Sequence, residues 1–110
     1  MKQNQTPQLN AKIRMYPAQG KGKADLLGFA DLTIGGAFVI KSIRIMQINP
    51  ERAGGEISDP FISFPSRRVA AEGEDRYFNV AHPITSDAYR AAVDLILAKY
   101  QESAAKGESV

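Results

Sequence analysis

Two adjacent glycines, Gly35-Gly36, interrupt a stretch otherwise suited to extended chain. Before them, the run from about Leu26 to Ile34 places Ala30, Leu32 and Ile34 on one face of a strand and Phe29, Asp31 and Thr33 on the other. After them, Ala37 to Ile48 is rich in Val and Ile. A tight hairpin turn needs positive φ at its centre, which glycine adopts without steric cost. The pattern predicts a β-hairpin from Phe29 to Met46. Its returning strand has Phe38, Ile40 and Met46 on one face and Val39, Ile43 and Ile45 on the other. A strand that is apolar on both faces should be covered on both. A C-terminal helix is one candidate cover, and a second subunit is the simplest source of the other.

The rest of the chain extends this sheet. Leu9, Ala11, Ile13 and Met15 alternate with Asn10, Lys12, Arg14 and Tyr16, predicting a half-buried strand with a basic outer face. Pro17 to Lys23 reads as a loop, and Asn49 to Pro60 as a longer one rich in Gly and Pro. Phe61 to Phe64 is a short strand stopped by Pro65. Residues 69–75 read as an acidic loop, and Arg76 to Ala81 as a further strand. Thr85 or Ser86 caps a helix with Asp87 in its first turn. Tyr89, Ala92, Val93, Ile96, Leu97 and Tyr100 recur at helical spacing over about four turns. The expected fold is α+β: one antiparallel sheet of about five strands with a single C-terminal amphipathic helix. The expected organisation is a disordered polar extension over residues 1–8, a single domain over 9–101 and a polar tail over 102–110.

Composition narrows the chemistry. A chain of 110 residues has room for one modest core. It has no Cys, which excludes disulfides, thiolate metal sites and Cys nucleophiles. Polar residues follow Met1-Lys2, and no apolar run approaches the roughly 20 residues that span a membrane. The lack of Cys is compatible with a reducing cytoplasm, and no membrane partner is expected. Net charge is only +2, yet residues 1–44 hold seven Lys/Arg against two acids, whereas 45–110 hold seven against ten. Any basic surface must therefore be assembled locally by folding.

Few residues offer catalysis. His82 is the only histidine, and it precedes Pro83 just before the helix. His82 and Pro83 read as a structural turn, with the imidazole donating a fixing hydrogen bond. Ser63, Ser66 and Ser86 lack a nucleophile elbow. Gly20-Lys21-Gly22-Lys23 lacks the spacing and hydroxyl of a phosphate loop. Glu72, Glu74 and Asp75 match no calcium loop and read as solvated or paired with Arg67, Arg68 or Arg76. No metal or cofactor is expected.

Arg67-Arg68, after Phe64-Pro65-Ser66, carries more weight. Arg presents a planar fork suited to bidentate phosphate or guanine contact. If a strand persists through the pair, the two side chains diverge; if Pro65-Ser66 turns the chain, they project together. Ion pairing with the acidic loop competes equally. Lys12, Arg14, Lys41 and Arg44 extend a basic patch if their strands are adjacent, and Tyr77 or Phe78 could stack on an unpaired base.

Three segments together resemble one family. They are Phe64-Pro65-Ser66-Arg67-Arg68, the loop with Glu72-Gly73-Glu74, and Asn79-Val80-Ala81-His82-Pro83-Ile84. With Gly35-Gly36-Ala37-Phe38-Val39-Ile40-Lys41-Ser42-Ile43-Arg44-Ile45, they resemble the stage V sporulation protein G family (SpoVG, also called septation regulator) over roughly Ile13 to Tyr100. The resemblance implies a cytoplasmic bacterial regulator of gene expression that binds DNA, with RNA as a further ligand, and acts as a homodimer. It places nucleic-acid contact on Arg67 and Arg68, and on the helix through Arg90 and Lys99; Ser66, Lys41, Arg44 and Arg76 complete the candidate set. This chain departs from the family pattern at Asn79, where an acid is usual, in its longer Asn49–Pro60 loop, and in its polar N-terminus.

Two other readings stand beside nucleic-acid binding. One is a protein-interaction module that binds a partner through a sheet edge or the helix, without nucleic acid. The other is a small enzyme using His82 with a carboxylate, which requires a concave pocket around that residue.

Overall fold

The computed structural model describes residues 7–16, 24–48 and 59–106. Six strands and one helix follow in order: β1 Leu9–Met15, β2 Ala24–Ile34, β3 Phe38–Ile48, β4 Phe61–Ser63, β5 Ser66–Ala71, β6 Glu74–Asn79 and α1 Ser86–Ala105. Strands β1 to β4 form an antiparallel sheet in chain order, and β5 pairs with β6 in a separate two-stranded sheet. The α+β class and the C-terminal helix match the expectation. The single sheet of about five strands becomes one of four and one of two. Residues 1–6 of the expected N-terminal extension, the Pro17–Lys23 loop with its Gly-Lys repeat and nearly all of the Asn49–Pro60 loop lie outside the described residues.

The Gly35-Gly36 hairpin forms as its sequence dictates. Both glycines have positive φ, 60° and 65°, and the Ala37 amide donates to the Ile34 carbonyl at 3.0 Å.

The faces of β3 differ from the alternation read in the sequence. Ala30 is opposite Ile43 but Leu32 is opposite Ile40, so β3 carries an extra residue between them. Such a bulge reverses side-chain parity. Ile40, Ile43 and Ile45 therefore share one face with Ala30 and Leu32, while Arg44 and Met46 lie on the other. The strand is one-faced along most of its length, and its alternation no longer calls for a second cover. A second bulge, at Leu27, lets that side chain turn into the core.

The core lies between this inner face and α1. Ala11, Ala30, Leu32, Ile43, Ile45 and Ile62 meet Ala92 and Ile96 there. Leu32, Ile43, Ile45 and Ile96 are fully buried, each contributing about 1.5–3 kcal/mol. Ala11, Ala30 and Ala92 keep the packing surface low, so that the helix can lie close to β1 and β2. Thr85 caps the helix, its hydroxyl accepting from the Ala88 amide at 3.1 Å, with Asp87 in the first turn. The helix runs to Ala105, beyond the expected domain limit at residue 101. Phe64 packs against Tyr89 with centroids 5.9 Å apart, tying the end of β4 to the start of α1.

The expected acidic loop over 69–75 is mostly strand. Only Glu72-Gly73 form the turn, both with positive φ (53° and 80°). Asn-Gly or Asp-Gly is the usual signature of such a turn, and Glu-Gly hides it.

Gly28 is required by a close approach. A Cβ there would lie 2.6 Å from the Arg14 carbonyl oxygen of the neighbouring strand. Gly28→Ala is expected to destabilise the fold by about 1–3 kcal/mol through overpacking, measured as a lower denaturant midpoint.

Candidate functional site

The register builds a polar row across the outer face of the four-stranded sheet. Arg14 on β1 is opposite Phe29 on β2; Phe29 is opposite Arg44 on β3; Arg44 is opposite Ser63 on β4. One step along, Lys12 is opposite Asp31. The strands carrying Lys12 and Arg14 (β1) and Lys41 and Arg44 (β3) are not adjacent: β2 runs between them and sets Phe29 and Asp31 between the two groups of cations.

Asp31 organises this face. Its Oδ1 accepts from Arg14 Nη2 at 3.2 Å and from the Ser42 amide at 3.0 Å. Ser42 is the bulge residue and has φ of 63°, a left-handed conformation that costs a non-glycine residue about 1–2 kcal/mol. The carboxylate offsets that cost by satisfying the amide that the bulge turns outward. Arg14 is held by Asp31 and lies over the Phe29 ring, its guanidinium carbon 5.2 Å from the centroid. Tyr16 meets the same ring edge-on, with centroids 6.1 Å apart.

A concave depression opens at the β3–β4 side. It is lined by Lys41, Ser42, Arg44, Ser63, Phe64, Pro65 and Ser66. Three expected contact residues, Lys41, Arg44 and Ser66, converge here. Ser63 joins them through its place opposite Arg44, a register that nothing in the sequence displays.

Arg67 and Arg68 do not lie side by side. Both belong to β5, so they point to opposite faces of the hairpin. Arg68 Nη1 lies 3.4 Å from Asp75 Oδ2, with both side chains more than half exposed. Such a pair is weak and exchanges readily. Arg67 makes no ion pair among the described residues. It is opposite Phe78, while Val69 on the same face is opposite Arg76. Arg67 and Arg76 are therefore the cations that share a face. Every residue of β6 is exposed, with Tyr77 at 67% and Phe78 at 51%.

The remaining candidates lie apart. Arg90 is exposed on α1. His82 Nδ1 lies 2.9 Å from the Pro83 carbonyl oxygen. The two residues line an apolar groove with Pro7, Leu9, Leu32, Ile34, Ile40, Ala88 and Ala92. That lining contains no carboxylate to partner the imidazole. Among the described residues no group of three His, Asp or Glu side chains could hold a metal ion, and no helix is long and apolar enough to cross a membrane.

Comparison with known proteins decides the family. The SpoVG family model matches residues 10–102. The chain belongs to the SpoVG family. Among its relatives, a protein of Lachnoclostridium phytofermentans is 30% identical over 98 residues, covering 89% of each chain. One of Alkaliphilus metalliredigens is 33% identical over 91 residues, 83% of this chain and 78% of the relative. One of Archaeoglobus fulgidus is 28% identical over 91 residues, 83% of this chain and 92% of the relative. All three carry the name "Putative septation protein SpoVG", which describes no enzyme. The SpoVG match spans both the four-stranded sheet and the β5–β6 hairpin.

The role of Asp31 is directly measurable. Asp31→Ala is expected to cost about 1–3 kcal/mol, the cost of an unsatisfied hydrogen-bonding group. Adding Ser42→Gly should recover part of that loss by removing the left-handed penalty. Equal stability of the single and double variants in urea titration would contradict this coupling.

Proposed function

We propose that this SpoVG-family protein is a nucleic-acid-binding regulator, taking DNA and also RNA, that grips phosphate on the basic side of its sheet. The observation that carries this reading is the depression lined by Lys41 and Arg44 together with Ser63 and Ser66. Two cations with flanking donors suit a phosphate group. Ser66 also begins β5, so the depression leads into the hairpin that bears Arg67 and Arg76. Family membership supports the reading through the family's basic pair, which falls on Arg67 and Arg68. Septation, named for the relatives, is the process such a regulator would serve.

The protein acts as a homodimer. A two-stranded hairpin is marginally stable in water without a covering surface. The β5–β6 hairpin nevertheless exposes Tyr77 and Phe78. A second copy laid against this arm would supply the cover. The same exposure favours the second reading, an interaction module whose partner is another protein.

Phosphate contacts make binding salt-dependent. A folded Lys41→Ala, Arg44→Ala variant should bind duplex DNA more weakly, with the slope of log K against log salt reduced by about 1.8 for two lost contacts. Arg67→Ala with Arg76→Ala should act in the same direction, and Arg68→Ala alone should do less. Unchanged affinity and slope in the first variant would overturn the assignment. In sedimentation at micromolar concentration the wild type should run at twice the chain mass. Tyr77→Ser with Phe78→Ser should shift it toward monomer, and a monomeric wild type would refute the dimer.

A further inference from the structure

The outer face of the four-stranded sheet has an arrangement that phosphate binding alone does not use. Phe29 lies at its centre, flanked by Arg14 and Arg44 on the neighbouring strands. Tyr16 meets the Phe29 ring edge-on and is 47% exposed. Arg14 is fixed twice, over the Phe29 ring and against Asp31, with half of its side chain open to solvent. A guanidinium held in this way presents a pre-set plane, and such planes stack on bases as aromatic rings do.

Charge complementarity selects the occupant. The register puts Lys12, Arg14 and Arg44 on this face, and Asp31 is the one carboxylate it puts there among the described residues. Asp31 is already engaged by Arg14 and the Ser42 amide. Asn10, Thr33 and Ser63 add neutral donors and acceptors on the same face. The helix covers the opposite face. Beside β1, Lys99 and Glu102 of α1 stand at the edge of a shallow depression that Lys12, Arg14 and Asp31 also line. Aromatic and guanidinium planes ringed by cations suit unpaired bases on a phosphate backbone. They do not suit a duplex, whose bases are stacked on one another. Arg44 also lines the phosphate depression at β3–β4, which makes the two surfaces continuous.

We infer that the outer sheet face is a binding site for single-stranded nucleic acid, with bases stacking on Tyr16 and the Arg14–Phe29 pair and phosphates meeting Lys12 and Arg44. The inference rests on the nucleic-acid reading above and adds to it a strand state and a second set of residues.

Two measurements test it. The first compares a labelled oligothymidylate of about 12 nucleotides, within the range of known single-strand sites, with a duplex at one fixed salt concentration. Tyr16→Ala should weaken single-strand binding about tenfold, as expected for one lost stacking contact. It should leave duplex binding within about twofold, by the same reasoning. Thermal melting confirms that the variant is folded. The second measurement photo-crosslinks a bromouridine-containing strand to the wild type and maps the adducts by mass spectrometry. Adducts at Tyr16 or Phe29 are the expected result, and adducts confined to the hairpin residues 66–79 overturn the inference. If the wild type binds duplex and Tyr16→Ala leaves single-strand affinity unchanged, the sheet-face site fails while the phosphate reading stands. If the wild type binds neither probe, both fail, and a protein partner takes their place.

Discussion

One carboxylate couples the two faces of the main sheet. Asp31 accepts the Ser42 amide and so supports a left-handed residue in the middle of β3. The bulge at that point shifts the parity of the strand. Ile43 and Ile45 consequently turn inward to meet Ala30 and Ile62, and Arg44 turns outward beside Phe29. In a regular strand Ile40 and Ile43 would face opposite sides. The buried core and the basic outer row are therefore two consequences of one local distortion. The same oxygen also holds Arg14 in place, so the atom that supports the bulge orients a cation on the exposed face.

The distribution of cations follows from strand geometry more than from sequence proximity. Arg67 and Arg68 are neighbours in the chain but lie on opposite faces of the hairpin, where Arg68 finds Asp75 and Arg67 shares its side with Arg76. Lys41, Arg44 and Ser66 are dispersed in the chain but line one depression. Folding thus gathers positive charge from the basic first 44 residues and from the start of β5, leaving Glu72, Glu74 and Asp75 at the far end of the hairpin.

Much of this was legible in the residues. The Gly35-Gly36 turn, the alternation in β1 and the Thr85 cap with the apolar spacing of α1 each rest on local chemistry that a sequence displays directly. The bulge was not legible, because it depends on a carboxylate eleven residues away in the chain accepting an amide across the sheet. Reading β3 as regular made it seem apolar on both faces. The Glu72-Gly73 turn was hidden because glutamate rarely adopts positive φ. The single shared surface of Lys41, Arg44 and Ser66 needed the strand order, and Phe29 gained interest only once its neighbours proved to be arginines.

The helix at the end of the chain packs on the strand near its beginning, since α1 lies chiefly against β1. During synthesis β1 to β4 can pair in order through local hairpins, but their inner face stays bare until the last described element leaves the ribosome. Ala11, Leu32 and Ile43 are then sealed together in a late step that joins distant parts of the chain. Such late closure favours slower folding and leaves an apolar sheet face open to wrong partners in the meantime. The polar and charged character of the other face helps keep the waiting sheet in solution.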